Sequence, residues 1–160
     1  VTHVAFVGIG SNLEDPRVQV LAAFEALATL PQTRLTARSP LYRSAPIGGP
    51  PQPDYVNAVA RIETGLGAQA LLEALLEIEA RRGRSRGERN APRTLDLDLL
   101  LYDSAVLATD ELRIPHPRMH ERRFVLAPLR DIAPELRIPG RGAVADLLAQ
   151  CAAQRLERLS

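Results

Sequence analysis

The chain has 160 residues, 46% of them apolar and 24% charged, with a net charge of +1. This length fits one domain, 1–160, able to bury a core without staples, and the single cysteine, Cys151, excludes a disulfide framework or a cysteine-based zinc site. The near-zero charge argues against a nucleic-acid carrier working by bulk charge, and with no apolar run near the roughly 20 residues of a membrane helix and no basic leader with a cleavage site, a cytoplasmic protein free of membrane is expected.

Residues His3–Gly10 (HVAFVGIG) read as a buried strand ending in glycines. Asp15-Pro16 supplies an N-cap and a proline at the first helical position. Val18, Leu21, Ala22, Phe24 and Leu27 then recur at helical spacing until Leu30-Pro31. Arg34–Arg43 is a second strand, with Pro40 marking an edge or bulge. Ser44–Pro53, saturated with Gly and Pro, is loop. Asp54–Glu63 alternates, with Tyr55, Asn57, Val59 and Arg61 on one face and Val56, Ala58, Ala60 and Ile62 on the other. Ala68–Arg82 is a helix stopped by Gly83, and Leu71, Leu72, Leu75 and Ile78 line one side of it. An arginine-rich loop, Gly83–Arg93, feeds a strand at Thr94–Tyr102. Beyond lie a Pro-rich turn (Ile114-Pro115-His116-Pro117), a helix through Phe124 and Leu129, and a last helix over Ala143–Leu159. The order β-α-β-β-α-β is that of an α+β, ferredoxin-like sandwich, an antiparallel sheet with packed helices, here with a C-terminal helical extension.

All basic side chains except histidine are arginine; the chain has no lysine, so a P-loop lysine or a Schiff-base mechanism is excluded. Asp96 and Asp98 are the sharpest chemical signal. Strand alternation puts both carboxylates on one face, about 7 Å apart at the Cα atoms, with Leu95, Leu97 and Leu99 on the other. Two such groups suit a hard divalent cation, above all Mg²⁺ bridging phosphates, although an amphipathic strand can also simply expose its polar side. Arg81, Arg82, Arg84, Arg86, Arg89 and Arg93 lie in the helix end and loop leading into that strand, as a phosphate clamp or as a solvated charge run. Tyr55 and Asn57 share a face and could stack a flat heterocycle and read its edge, or could serve packing alone. His116 sits in a rigid turn, where a lone histidine is more often structural. Arg122 and Arg123 reach either phosphate or solvent. Gly10-Ser11-Asn12 reads as a plain turn.

These residues together resemble a known family, the 6-hydroxymethyl-7,8-dihydropterin pyrophosphokinases of folate biosynthesis. The resemblance runs through Gly10-Ser11-Asn12-Leu13, Tyr42-Arg43-Ser44, Gln52-Pro53-Asp54-Tyr55-Val56-Asn57-Ala58, Glu79 and Gly83-Arg84. It continues in Ala91-Pro92-Arg93-Thr94-Leu95-Asp96-Leu97-Asp98, Ile114-Pro115-His116-Pro117-Arg118-Met119, Arg122, Phe124 and Pro128-Leu129. It implies transfer of pyrophosphate from ATP to a pterin hydroxymethyl oxygen, with release of AMP. It also implies two Mg²⁺ ions held by Asp96 and Asp98. The pterin would lie between Tyr55 and Phe124, read by Asn57 and by the loop carrying Ser44, Ala45 and Ile47. ATP would be held by Glu79, Arg84, Arg86, Arg93, His116 and Arg122, with Arg84, Arg93 and Asp98 acting at the reacting phosphates. Asn90-Ala91 departs from the Trp-Gly of many members. The expected partners are small molecules, with no nucleic acid, and the expected state is a monomer. The rivals are an RNA-recognition module on the same frame and a binding protein without activity.

Overall fold

The computed structural model describes residues 2–13, 15–46, 51–82 and 94–159. The first strand, β1 (His3–Ser11), leads into α1 (Pro16–Ala28). Asp15 stands at the N-cap with a positive φ of 64° and makes no side-chain cap hydrogen bond, so the helix start rests on Pro16 rather than on a capping carboxylate. The predicted second strand is two strands, β2 (Thr33–Arg38) and β3 (Tyr42–Ser44). Pro40 has no N–H for a ladder and breaks the run. At the break Ser39 accepts the Val59 N–H with its hydroxyl and donates its own N–H to the Val59 carbonyl, 2.8 and 2.9 Å. Then come β4 (Tyr55–Thr64), α2 (Ala68–Arg81) and β5 (Asp96–Tyr102).

These strands form one antiparallel sheet in which β1 lies between β4 and β5. β2 and β3 sit end to end along the other edge of β4. The arrangement is the ferredoxin-like one expected: β1 and β2 straddle β4, and α1 and α2 cover one face. That face is closed. Ala5, Val7 and Ile9 of β1, Val56, Ala58, Ala60 and Ile62 of β4, and Leu95, Leu97 and Leu99 beside or in β5 join the main core with Phe24, Leu27, Leu71 and Leu75 of the two helices. The predicted alternation of β4 and β5 is therefore the one that folds.

The C-terminal third adds two short hairpins, β6 (Leu107–Ala108) with β7 (Arg113–Ile114) and β8 (Arg137–Ile138) with β9 (Gly142–Ala143). Between them lies α3 (Arg123–Ile132), and α4 (Val144–Gln150) follows. Contrary to the expected helix over Ala143–Leu159, α4 ends at Gln150, and β10 (Leu156–Arg158) adds an antiparallel strand to β3. The open edge of β3 supplies backbone partners that an isolated helical end would lack. α3 and α4 pack on the second face through Leu126, Leu129, Val144 and Leu147, against Phe6, Val59, Leu100 and Leu101. A bulge in β5 opposite Phe6 and Val7 sends both Leu100 and Leu101 into this second core. Among the described residues no helix is long and apolar enough to cross a membrane.

Candidate active site

The second face is covered only at one end, and the uncovered end carries the chemistry. Register fixes its layout. Gly10 of β1 stands directly opposite Asn57 of β4 on one side and Asp96 of β5 on the other, and Gly8 stands between Val59 and Asp98. Cross-strand partners project to the same side, so Tyr55, Asn57, Asp96 and Asp98 face one cleft, with Asn57 and Asp96 two strand spacings, about 10 Å, apart. The floor between them is bare backbone. A Cβ on Gly10 would come within 3.4 Å of Asn57 Oδ1 and 3.5 Å of the Tyr55 ring, and one on Gly8 within 3.3 Å of Leu100. Gly10 and Ser11 are thus strand residues, not the plain turn expected, and Gly10 floors the cleft. Sequence reading missed both glycines as site residues. Their signal was available: once β1 pairs on both sides, its even positions share a face with 57 and 96.

Asn57 is buried, and its Nδ2 donates to Ser44 Oγ at 2.7 Å, which fixes the amide orientation and leaves Oδ1 beside Gly10. Ser44, Ala45 and Phe124 complete the wall opposite the aspartates, and Arg122 stands over the Phe124 ring at 5.6 Å. The rim is tied down by Asn12, whose Nδ2 donates to Gln52 Oε1 at 2.7 Å and to the Pro53 carbonyl at 3.0 Å. Ser11 Oγ donates to the Thr94 carbonyl just before β5. Tyr42, two residues before Ser44 on β3, donates its hydroxyl to Asp131 of α3; burial, followed by that carboxylate, pushes its pKa up to about 12.

Across the edge of β5 lies a second cavity, of about 310 Å³, which shares Asp96 and Asp98 with the first and adds Glu79, Leu112 and His116. Glu79 is buried at the end of α2 and accepts the Leu97 N–H at 2.7 Å, satisfying an outward donor of the strand between the two aspartates. His116 Nε2 stands 3.9 Å from Asp98 Oδ1, and Nδ1 accepts the Arg118 N–H at 3.1 Å. Burial, then the nearby Arg122 charge, lowers the His116 pKa to about 4, so the ring is neutral at ordinary pH with its proton on Nε2. Arg123 points elsewhere: its guanidinium donates to the Gln154 carbonyl at 2.7 Å and holds the C-terminal segment against α3.

The structure therefore brings Ser44, Ala45, Tyr55, Asn57, Asp96, Asp98, Arg122 and Phe124 to one cleft and sets Glu79 and His116 on the adjoining cavity. Ile47, Arg84, Arg86 and Arg93, with Asn90-Ala91, lie outside the described residues. Among the described residues no three His, Cys, Asp or Glu side chains converge on a metal position. Asp96 and Asp98 alone still fit a cation that keeps water and substrate oxygens in most of its coordination sphere, as Mg²⁺ does.

The family of 7,8-dihydro-6-hydroxymethylpterin-pyrophosphokinases (HPPK) matches residues 6–134. The chain belongs to this family. It is 49% identical over 154 residues to the 2-amino-4-hydroxy-6-hydroxymethyldihydropteridine pyrophosphokinase of Pseudomonas aeruginosa, covering 96% of this chain and 95% of that one. It is 44% identical over 156 residues to the enzyme of the same name from Haemophilus influenzae, covering 98% of each. Among solved structures, Plasmodium falciparum HPPK-DHPS wild type with pteroate superposes with a TM-score of 0.75 at 13% identity, over 94% of this chain and 42% of that longer one. At that identity the likeness concerns the fold. As a member of the HPPK family the protein is a pyrophosphokinase, and the paired cavities about Asp96 and Asp98 are the candidate place for that transfer.

Proposed function

We propose that the protein transfers the terminal pyrophosphate of ATP to the hydroxymethyl oxygen of 6-hydroxymethyl-7,8-dihydropterin, releasing AMP, as a step of folate biosynthesis. The observation that carries this reading is the position of Asp96 and Asp98 on the wall common to two cavities. One cavity has aromatic sides and a carboxamide; the other runs along Glu79 and His116. A transferase that moves pyrophosphate from a nucleotide to a flat heterocycle needs that arrangement, with the charge-handling groups between its substrates.

In this mechanism the pterin ring enters between Tyr55 and Phe124 over the glycine floor. The Asn57 amide, held by Ser44, offers Oδ1 to a ring N–H, and Ala45 and Ile47 extend the reading edge. ATP lies across β5, with Glu79, His116 and Arg122 beside it, and with Arg84, Arg86 and Arg93 supplying guanidinium forks for its phosphates. Two Mg²⁺ ions bound through Asp96 and Asp98 would neutralise phosphate charge and make the β-phosphorus a better electrophile. The chain's own residues orient the hydroxymethyl oxygen toward that phosphorus and exclude water that would compete as acceptor. Neutral His116 presents Nε2–H to the phosphate side without adding a positive charge that would compete with the cation.

The test is AMP formation from ATP, measured with and without hydroxymethyl-dihydropterin and with and without Mg²⁺. AMP is expected only when both are supplied. Equal AMP release without the pterin, or full activity in excess EDTA, would overturn the proposal.

A further inference from the structure

A third cavity, of about 390 Å³, adjoins the pterin cleft and shares Ser44, Arg122 and Phe124 with it. Three guanidinium groups line it, and they come from three parts of the chain: Arg118 after the Pro-rich turn, Arg122 at the start of α3, and Arg155 just before β10. The one carboxylate in the lining, Glu121, stands 3.7 Å from Arg118 and is also 3.4 Å from His120. Arg122 and Arg155 have no carboxylate partner among the described residues. Arg155 is delivered by the unexpected end of the chain. Gln154 donates from Nε2 to the Glu121 carbonyl at 2.6 Å and accepts the Arg123 N–H at 2.9 Å, which locks the segment before β10 beside the cavity.

Two arginines without a carboxylate partner among the described residues, with a third at hand, concentrate positive potential beside the cleft in a chain of net charge +1. Guanidinium forks of this kind suit phosphate oxygens. We propose that this cavity is a second oxyanion site, which takes the diphosphate arm of the pterin product when that arm is not held at Asp96 and Asp98. The inference rests on the function proposed above and extends it to product retention. Two carboxylates repel a diphosphate that no cation shields, and Arg122, on the wall common to both cavities, is the nearest positive charge within the described residues of the cleft. An arm swinging past Phe124 would meet Arg118 and Arg155 next.

The experiment is metal-free calorimetry in EDTA, on the full chain and on the Arg118→Ala/Arg155→Ala double variant, with three ligands: hydroxymethyl-dihydropterin, its diphosphate, and inorganic diphosphate. The double variant is expected to lose tenfold or more in affinity for the pterin diphosphate while its affinity for the unphosphorylated pterin stays within twofold. Inorganic diphosphate should bind the parent in the presence of saturating hydroxymethyl-pterin and fail to bind the variant. The Arg118→Lys/Arg155→Lys variant should recover much of the loss, which a purely structural role would not predict. Unchanged product affinity in the alanine variant, or displacement of inorganic diphosphate by the unphosphorylated pterin, would overturn the inference. A chain that makes no AMP would instead sink the proposed reaction, while the inorganic diphosphate titration would still report on the cavity.

Discussion

The two faces of the sheet are built from alternate residues of the same strands, yet one is closed and the other half open. On the closed face β4 contributes Val56, Ala58, Ala60 and Ile62, and α1 and α2, of 13 and 14 residues, cover them. On the other face the same strand contributes Tyr55, Asn57 and Val59, and only Val59 lies in the second core. Length explains much of the difference. The ten-residue α3 spans about 15 Å, whereas the ten-residue β4 beneath it runs about 33 Å. What α3 does not cover is floored by glycine and walled by polar groups. Stability and chemistry are thus separated by the two-residue period of a strand, so substitutions one position apart should fail in different ways.

The largest expected contrast sets Asp96 and Asp98 against Ile62. Asp96→Ala or Asp98→Ala should lower the rate of AMP formation by about 10³-fold or more while leaving the urea midpoint near that of the parent, because both side chains are half-buried and point to the cleft. Ile62→Ala removes a fully buried core side chain and should cost about 2–5 kcal/mol of stability, with kcat of the folded fraction unchanged. Full activity in both aspartate variants would break the division between the faces.

Gly10 sharpens the comparison from the floor. Gly10→Val would set branched carbons against Asn57 Oδ1 and the Tyr55 ring, already 3.4 and 3.5 Å from an ideal Cβ. The KM for the pterin should rise about 10- to 100-fold, equivalent to roughly 1.4–2.8 kcal/mol, with a smaller change in the KM for ATP. Equal rises for both substrates would show that the floor serves the whole site and not the ring pocket. Next in size, Asn57→Ala should weaken pterin binding about tenfold, through loss of an oriented buried hydrogen-bond partner, and should leave nucleotide binding nearly unchanged by calorimetry.

How much of this was legible follows from the range of each signal. The alternation over 55–62 and 95–99 is local, and by itself it puts Asn57, Asp96 and Asp98 on the faces that the structure turns to the cleft. The βαββαβ order is likewise a sum of local patterns. The split at Pro40 was half visible: the proline announced an irregular edge, but the Ser39–Val59 pairing that bridges it joins residues 20 positions apart. β10 was hidden because Leu156-Glu157-Arg158 carries no strand pattern of its own and is recruited by the vacant edge of β3. The glycine floor was hidden because a glycine late in a strand looks like an ending until register shows strands on both sides of it. Phe124 stood out only through the scarcity of aromatics and through family resemblance; no spacing connects it to Tyr55.

The smallest expected effect concerns His116, beside Asp98 at the edge of the open face. Its pKa falls from the ordinary 6.5 to about 4 on folding, through burial first and then the positive charge of Arg122. Between those values the unfolded chain binds a proton that the folded chain does not, so stability rises with pH across this window and is complete above 6.5. Protonation would also cost Nδ1 its role as acceptor for the Arg118 N–H. With solvent screening at the half-buried ring, the contribution should be on the order of 1 kcal/mol. Urea unfolding of the parent at pH 5 and pH 7.5 contains this difference together with that of every carboxylate; His116→Gln, which keeps a polar side chain but cannot titrate, should remove only the histidine part. The pH-dependent gain should therefore shrink in the variant by about that amount. An identical gain in both proteins would mean that the ring is as well solvated in the fold as in the unfolded chain, and that the cavity beside Asp98 is more open than its lining by His116 and Pro117 implies.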